Sequence, residues 1–560
     1  MDRGPGAGLE NCANDCDRRE LIGPSVIPSP RITVKLMTSS LTEHLRSRRL
    51  DLFFFAACLV FLYLHLFHLP GTPIYYEGDH VKLLELSRRF ASGEVPYRDF
   101  FDLVFPGSLA LYAGLIKVFG AKYWIVNAVI IGHGLAAAAI GLAISRKLMT
   151  DRLAAYLPPA IYIFFGFRWF GLDGEHRMIS PLFIYGAVLV LLPARGTTRV
   201  AVAGALCAGA SFFTQQRGLL AMAAIGLFLL IEQGVVERAF GTLLRSWAVL
   251  TAAFAAVLII LVAPFVQQAG IERFLNDTIF FIASYSKDPN NNSLYSFLHT
   301  IEKISGLGTV MTIVTVFYSM IVPLSYLVIG GYLIIKGRSN GFARYSGMIL
   351  VCMTGLFLAI GTTGPNAMRL FQVSMPALIA ACWIAENAGV LRRLPAAAIA
   401  AALIAVGILL GIRTQSEWET RTLETASGRL VFLSPVISER YEWLLEHTSP
   451  GEFVFETYNS HVNFPLGLRN PSRMSITLNS GYSPPEHVAQ VVEDLKRNPP
   501  RYIIWDGSWT AEMLQISEGE KLKPLFDHMT QDYSRVAEFT PYDGREREIW
   551  ERTAERVQQR

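Results

Sequence analysis

Two groups of carboxylates fall close together early in the chain. Glu77 and Asp79 flank Gly78, and Asp99 and Asp102 follow within the stretch Gly93-Glu94-Val95-Pro96-Tyr97-Arg98-Asp99-Phe100-Phe101-Asp102, shortly before Pro106-Gly107. Between the groups runs Val81–Phe90, with Leu83, Leu84, Leu86 and Phe90 on one side and Lys82, Arg88 and Arg89 elsewhere, the pattern of an amphipathic helix. Carboxylates grouped this way are either solvated, or aimed at a hydroxyl proton or a metal ion. A plain polar loop would also contain acids, so position must decide. Both groups lie directly beside a long apolar run, where ionisable groups are functional candidates by default. Cations are the second chemical resource. Arg177, Arg217 and Arg369 each sit in or beside a short segment between apolar runs. Snorkelling toward lipid phosphates is one explanation for each; bidentate binding of a ligand phosphate is the other.

The elements that must hold these residues follow from hydropathy. Of 560 residues, 52% are apolar and only 17% charged, against roughly a quarter charged in soluble globular chains. The net charge of +4 implies no polyanion-binding face and argues against a nucleic-acid partner. Apolar runs of about the length of a bilayer crossing recur at 51–69, 124–146, 152–169, 176–194, 199–213, 217–233, 244–266, 309–336, 344–363, 367–386 and 395–412. Arg46, Arg48 and Arg49 precede the first run. Every second connection after it is basic: Arg146, Lys147 and Arg152; Arg195 and Arg199; Arg238 and Arg245; Lys336, Arg338 and Arg344; Arg392 and Arg393. Basic connections mark the cytoplasmic side. This phase puts the N-terminus inside and the C-terminal part outside, in a multi-pass plasma (inner) membrane protein. Residues 104–120 are apolar enough to cross, but a crossing there would invert the phase. They are therefore expected to lie along the outer interface.

The expected organisation is a polar, irregular tail at 1–48 without a signal peptide, a membrane domain at 49–412 and a soluble domain at 413–560. Two long outer loops, 70–123 and 267–308, interrupt the membrane domain. In the second, Ile271–Tyr285 reads as an interfacial helix, and Asn276-Asp277-Thr278 and Asn291-Asn292-Ser293 are sequons. The C-terminal part alternates helical periodicity (Ile437–His447, His487–Arg497) with short strands (Glu452–Glu456, Arg501–Trp505, Arg535–Phe539), so a small α/β domain is expected. Four of six cysteines lie in apolar runs, while Cys12 and Cys16 sit in the tail without a second pair for a metal site. Asn127 and His133 fall among small residues and read as helix-packing groups.

An acidic pair just after the first span, an interfacial helix, a Gly-x-x-Pro-Tyr-x-Asp stretch and a Pro opening a second interfacial helix resemble the GT-C membrane glycosyltransferases. The nearest branch is the bacterial one related to protein O-mannosyltransferases and aminoarabinose lipid A transferases. The resemblance implies an all-α polytopic bundle of about eleven transmembrane helices with outer interfacial helices, plus the outer α/β domain. It implies transfer of a sugar from a polyprenyl-phosphate donor to a hydroxyl of a lipid, glycan or protein, with inversion. The family usually shows adjacent acids after the first span; here a glycine separates them, so Asp79 or Glu77 stands as base, and Asp102 or Asp99 as the second acidic position. Arg217 and Arg369, with Arg177 as third choice, would hold the donor phosphate. Glu77 and Asp79 could also share Mg or Mn through oxygen ligands. A transporter or flippase of a lipid-linked sugar is a competing reading, but it predicts acids near the bilayer midplane and an internal repeat. A non-catalytic membrane scaffold is another.

Overall fold

A computed structural model describes residues 30–285, 308–362, 366–393, 395–416, 420–478, 481–506, 520–540 and 547–553. Cys12, Cys16, the sequon at Asn291 and the far part of the 267–308 loop lie outside these residues. The chain divides into two units, 1–54 and 55–560. In the first, helix α1 (Pro30–Leu66) begins inside the stretch expected to be irregular. Proline suits a first helical turn, and no Gly or Pro interrupts the chain after it.

Beyond α1, the helices Trp124–Leu148 (α4), Gln215–Val236, Phe240–Ala269, Thr309–Gly337 and Ala396–Gln415 are long and apolar enough to cross a membrane. With Arg48–Leu66 of α1 they make six among the described residues. His176–Leu191, Thr197–Phe213 and Ser346–Ile360 are helical at the expected places but shorter. The run at 152–169 is a helical segment over 154–170 that passes through 3-10, α and π turns. The last expected run before 395 is broken into Ala367–Phe371 and Met375–Asn387. This is a polytopic helical membrane protein. Aromatic rings fill the bundle: Tyr162 stacks on Phe371 at 4.5 Å, and Phe61 meets Phe164 edge-on at 5.1 Å.

The first loop is more structured than its sequence suggests. After α1 come two short strands, β1 (Phe67–His68) and β2 (Thr72–Tyr75), then helices α2 (Asp79–Ala91) and α3 (Gly107–Phe119). α2 is amphipathic as expected, burying Val81, Leu83, Leu84 and Leu86. α3 starts tight against the Thr197–Phe213 helix: a Cβ on Gly107 would stand 2.6 Å from the Phe212 carbonyl oxygen, so only glycine fits there.

The C-terminal region reaches back to this loop. Strands β3 (Arg421–Thr425) and β4 (Gly428–Phe432) form a hairpin, and β4 also pairs in parallel with β2, through Ile74↔Val431 and Tyr75↔Phe432. The resulting sheet, in the order β1-β2-β4-β3, is built from both ends of the sequence. A second sheet has the order β5-β6-β8-β7, from Val454–Glu456, Tyr502–Asp506, Arg547–Arg552 and Tyr533–Phe539 respectively. Helices Pro435–His447, Pro485–Arg497 and Lys523–Asp532 accompany it. Its core joins Phe455, Ile503, Trp505, Val488 and Leu525, and it also takes in Phe101 from the first loop.

Candidate functional site

A cavity of about 280 Å³ opens where the first loop, the bundle and the C-terminal region meet. Its charged lining is Asp79, Lys82, Asp102, Glu175, Arg177 and Arg369. Tyr458, Ile476, Leu478 and Tyr482 supply an apolar and aromatic wall from the C-terminal region.

Each charged group is placed by a local device. Asp79 opens α2, where a carboxylate complements the positive end of the helix. Its side chain is 43% exposed and lies 3.5 Å from Arg177 Nη1. Asn459 Nδ2 faces its other oxygen, also at 3.5 Å. Lys82 stands one helical turn further along α2, on the same face. Next to Asp79, His80 is buried, its Nδ1 2.7 Å from Asp173 Oδ1 and its Nε2 3.1 Å from the Tyr123 hydroxyl. Burial pushes the Asp173 carboxyl above the usual range even though His80 opposes it.

Asp102 is held by two grips. Phe101, its neighbour, is locked between Phe281, Tyr482 and His487. On the other side Gln215 Nε2 donates to the Leu103 carbonyl at 2.9 Å and to the Thr278 carbonyl at 3.1 Å, while its oxygen accepts from Phe105 N at 3.3 Å. Burial raises the Asp102 carboxyl above the ordinary aspartate range; Lys82 and the Val104 and Leu103 N–H groups only partly oppose this.

The cations are unequal. Arg177 is tied to buried Glu175 at 2.5 Å. Burial would raise Glu175, but Arg177 and then Arg369 outweigh it and hold the carboxyl below its usual range. Gln372 Nε2 donates to Glu175 at 3.2 Å, and Arg217 Nη2 donates to Gln372 Oε1 at 3.1 Å. Arg217 Nη1 donates to the Arg177 carbonyl at 2.5 Å. An internal chain therefore runs Arg217–Gln372–Glu175–Arg177–Asp79. Arg369 lies on the cavity wall, its backbone N–H capped by Asn366 Oδ1 at 2.9 Å.

Of the residues singled out from sequence, Asp79, Asp102, Arg177 and Arg369 are gathered in one place. Three are not. Glu77 bonds Arg440 of the Pro435–His447 helix, with the His461 ring 4.0 Å away, and is not on the cavity wall. Burial would raise it, but Arg440, His461 and Arg547 together draw it below the usual range. Asp99 is clamped by Arg98 at 2.9 Å and accepts from Val95 N at 2.7 Å. It faces a different cleft, with Arg273, Arg473 and Arg497. Arg217 is 3% exposed and spends its guanidinium on protein partners behind the wall. Glu77 and Asp79 thus turn to different partners, Arg440 and Arg177. Among the described residues no three His, Cys, Asp or Glu side chains converge as a metal site.

Sequence reasoning passed over Lys82, His80, Asp173, Gln215, Gln372, Arg440 and Asn459 as site-forming residues. Lys82 was accessible through its helical spacing from Asp79. The C-terminal contributors carried no local signal, because their role exists only through β2–β4 pairing.

The helical bundle and the structured first loop share their fold with solved structures at low sequence identity. Similar solved structures include ArnT from Cupriavidus metallidurans bound to undecaprenyl phosphate, at 13% identity and a TM-score of 0.56, covering 89% of this chain and 97% of that one. The same protein in the apo state matches at 13% identity and 0.57, over 90% and 98%. An oligosaccharyltransferase from Archaeoglobus fulgidus matches at 12% identity and 0.47, over 87% and 72%. No family model matches the sequence, and no curated protein matches it.

Proposed function

We propose that this protein moves a sugar from a polyprenyl-phosphate donor to a hydroxyl acceptor on a lipid, glycan or protein, at the outer face of the plasma membrane. The observation that carries the reading is the cavity itself: carboxylates Asp79 and Asp102 and cations Lys82, Arg177 and Arg369 line one small chamber. Such transfer needs both signs of charge, a base for the nucleophile and cations for the departing phosphate. Undecaprenyl phosphate bound to a protein of the same fold supports the donor class.

In this mechanism Asp79 takes the acceptor hydroxyl's proton. The oxygen attacks the anomeric carbon from the side opposite the phosphate, the carbon–oxygen bond to phosphate breaks, and the bonding pair leaves with the lipid phosphate. The configuration inverts. Arg369 and Lys82 receive the phosphate charge. Asp102, whose buried carboxyl holds its proton to higher pH than a free aspartate, orients the acceptor. Arg177, tied to Glu175 and Asp79, positions the base, and Arg217 braces Arg177. In this reading the chain crosses the membrane eleven times with its basic loops inside, so the chamber lies outside and residues 413–560 form an outer domain. Acids gathered at one end of the bundle favour chemistry there over passage through the middle.

Membranes carrying the wild type or Asp79→Asn, supplied with a radiolabelled polyprenyl-phosphate sugar, test this. The expected result is a loss of about 10²–10⁴-fold in release of lipid phosphate with folding intact. Unchanged turnover in folded Asp79→Asn removes the assignment of the base.

A further inference from the structure

Two helices that carry cavity residues, His176–Leu191 and Gln215–Val236, have their other ends at a second hollow. Trp124–Leu148, His176–Leu191 and Gln215–Val236 all finish there, and Ser346–Ile360 begins there. The space measures about 820 Å³ and is bounded by Lys147, Arg195, Glu232, Gln233, Glu237 and Arg344. Arg195 and Glu232 are already paired, Nε to carboxylate at 3.0 Å, and Arg195 Nη2 donates to Ser346 Oγ at 3.1 Å. Lys147, Arg344 and Glu237 are the other charged groups lining it. Gln233 is 4% exposed, yet its side-chain oxygen meets no hydrogen-bond donor. A buried acceptor without a donor is destabilising, so a ligand N–H would relieve it. Apolar groups complete the setting. Leu148 and Leu192 line the hollow.

We infer that this hollow is a binding site for a glycerophospholipid with a primary-amine headgroup. The phosphate lies between Lys147, Arg344 and the outward edge of Arg195. The ammonium donates to the Gln233 oxygen and faces Glu237. The acyl chains run over Leu148 and Leu192. Basic pockets between helices on the positively charged face suit lipid phosphates. The unsatisfied acceptor and Glu237 add a demand that a trimethylated headgroup, which has no N–H, cannot meet. The site lies at the opposite end of the helices from the sugar-transfer chamber and does not depend on that reading.

The test is native mass spectrometry of the full, delipidated chain in detergent, with dioleoylphosphatidylethanolamine, dioleoylphosphatidylcholine or free phosphoethanolamine added. The wild type is expected to retain the ethanolamine lipid about tenfold better than the choline lipid, a difference of about 1.4 kcal/mol, and to ignore free phosphoethanolamine. Lys147→Ala with Arg344→Ala, both at exposed positions, is expected to lose the retained lipid. Gln233→Leu is expected to bind both lipids alike. Equal retention of the two lipids by the wild type, or unchanged selectivity in the double variant, overturns the assignment. Tight binding of free phosphoethanolamine overturns the lipid as its ligand.

Discussion

Glu77 and Asp79 are one glycine apart and do different work. Glu77 forms an ion pair with Arg440, which is 3% exposed on its side chain. Removing one partner from such a pair costs about 3–5 kcal/mol, because the other charge stays buried. Glu77→Gln is therefore expected to lower the melting temperature of the detergent-solubilised protein well below that of Asp79→Asn; equal melting would contradict the buried pair. The same pair makes a pH prediction. The Glu77 carboxyl sits below its usual range, so its contribution is present above the unfolded value of about 4.3 and fades as pH falls through its lower folded value. Wild type is expected to lose stability more steeply than Glu77→Gln below about pH 4.3, followed by thermal melts across an acid series. Asp102 behaves in the opposite sense, since burial favours its protonated form. Asp102→Asn mimics that form, so it is expected to fold normally and to lose less transfer activity than Asp79→Asn. A loss as large as that of Asp79→Asn would move the base to Asp102.

At the scale of elements, the sheet β1-β2-β4-β3 fixes where the first loop stands. Phe432 is 1% exposed and packs on Tyr75 and Tyr441, each ring centre 4.9 Å away. Phe432→Ala is expected to cost about 3–5 kcal/mol and to reduce transfer activity in step, because β2 leads directly into Glu77 and Asp79. Denaturant melts beside the transfer assay check this; a folded variant with full activity would show that the strand pairing does not position the base. These strands also mark where reading the sequence stopped. The α2 helix announced itself through Leu83, Leu84 and Leu86, and the helices of the bundle through their length. Strand β2, by contrast, is four residues whose partners lie in the C-terminal region, and nothing in Thr-Pro-Ile-Tyr distinguishes it from a turn. β3 and β4 were also overlooked, since their alternation is short and broken by Gly428 at φ +114°.

Across the whole molecule, the chamber belongs to no single segment. Asp79 and Asp102 come from the first loop, Arg177 and Arg369 from bundle helices, and Tyr458 and Tyr482 from the C-terminal region. The acids and arginines were legible because charge beside an apolar run stands out. Choosing among them was not, because Asp99 and Arg217 differ from Asp102 and Arg369 only in the direction the folded backbone turns them. The C-terminal region is expected to act on the chemistry through Asn459, which bridges Asp79 Oδ1 and His461 Nε2, at 3.5 and 3.0 Å. Asn459→Ala is expected to lower the turnover number several-fold, for about 1 kcal/mol, with donor KM nearly unchanged. A rise in KM alone would make Asn459 a donor contact instead.

The strand that completes the first sheet is synthesised last. Ile74 leaves the ribosome early, and Val431, its partner, follows only after all the hydrophobic helices have been made. A nascent or prematurely terminated chain therefore lacks the strand that pairs with β2 beside its acidic loop, and such contacts between distant residues form late. Chains cut before Val431 are thus expected to remain in the bilayer with strand β2 unpaired on its β4 side.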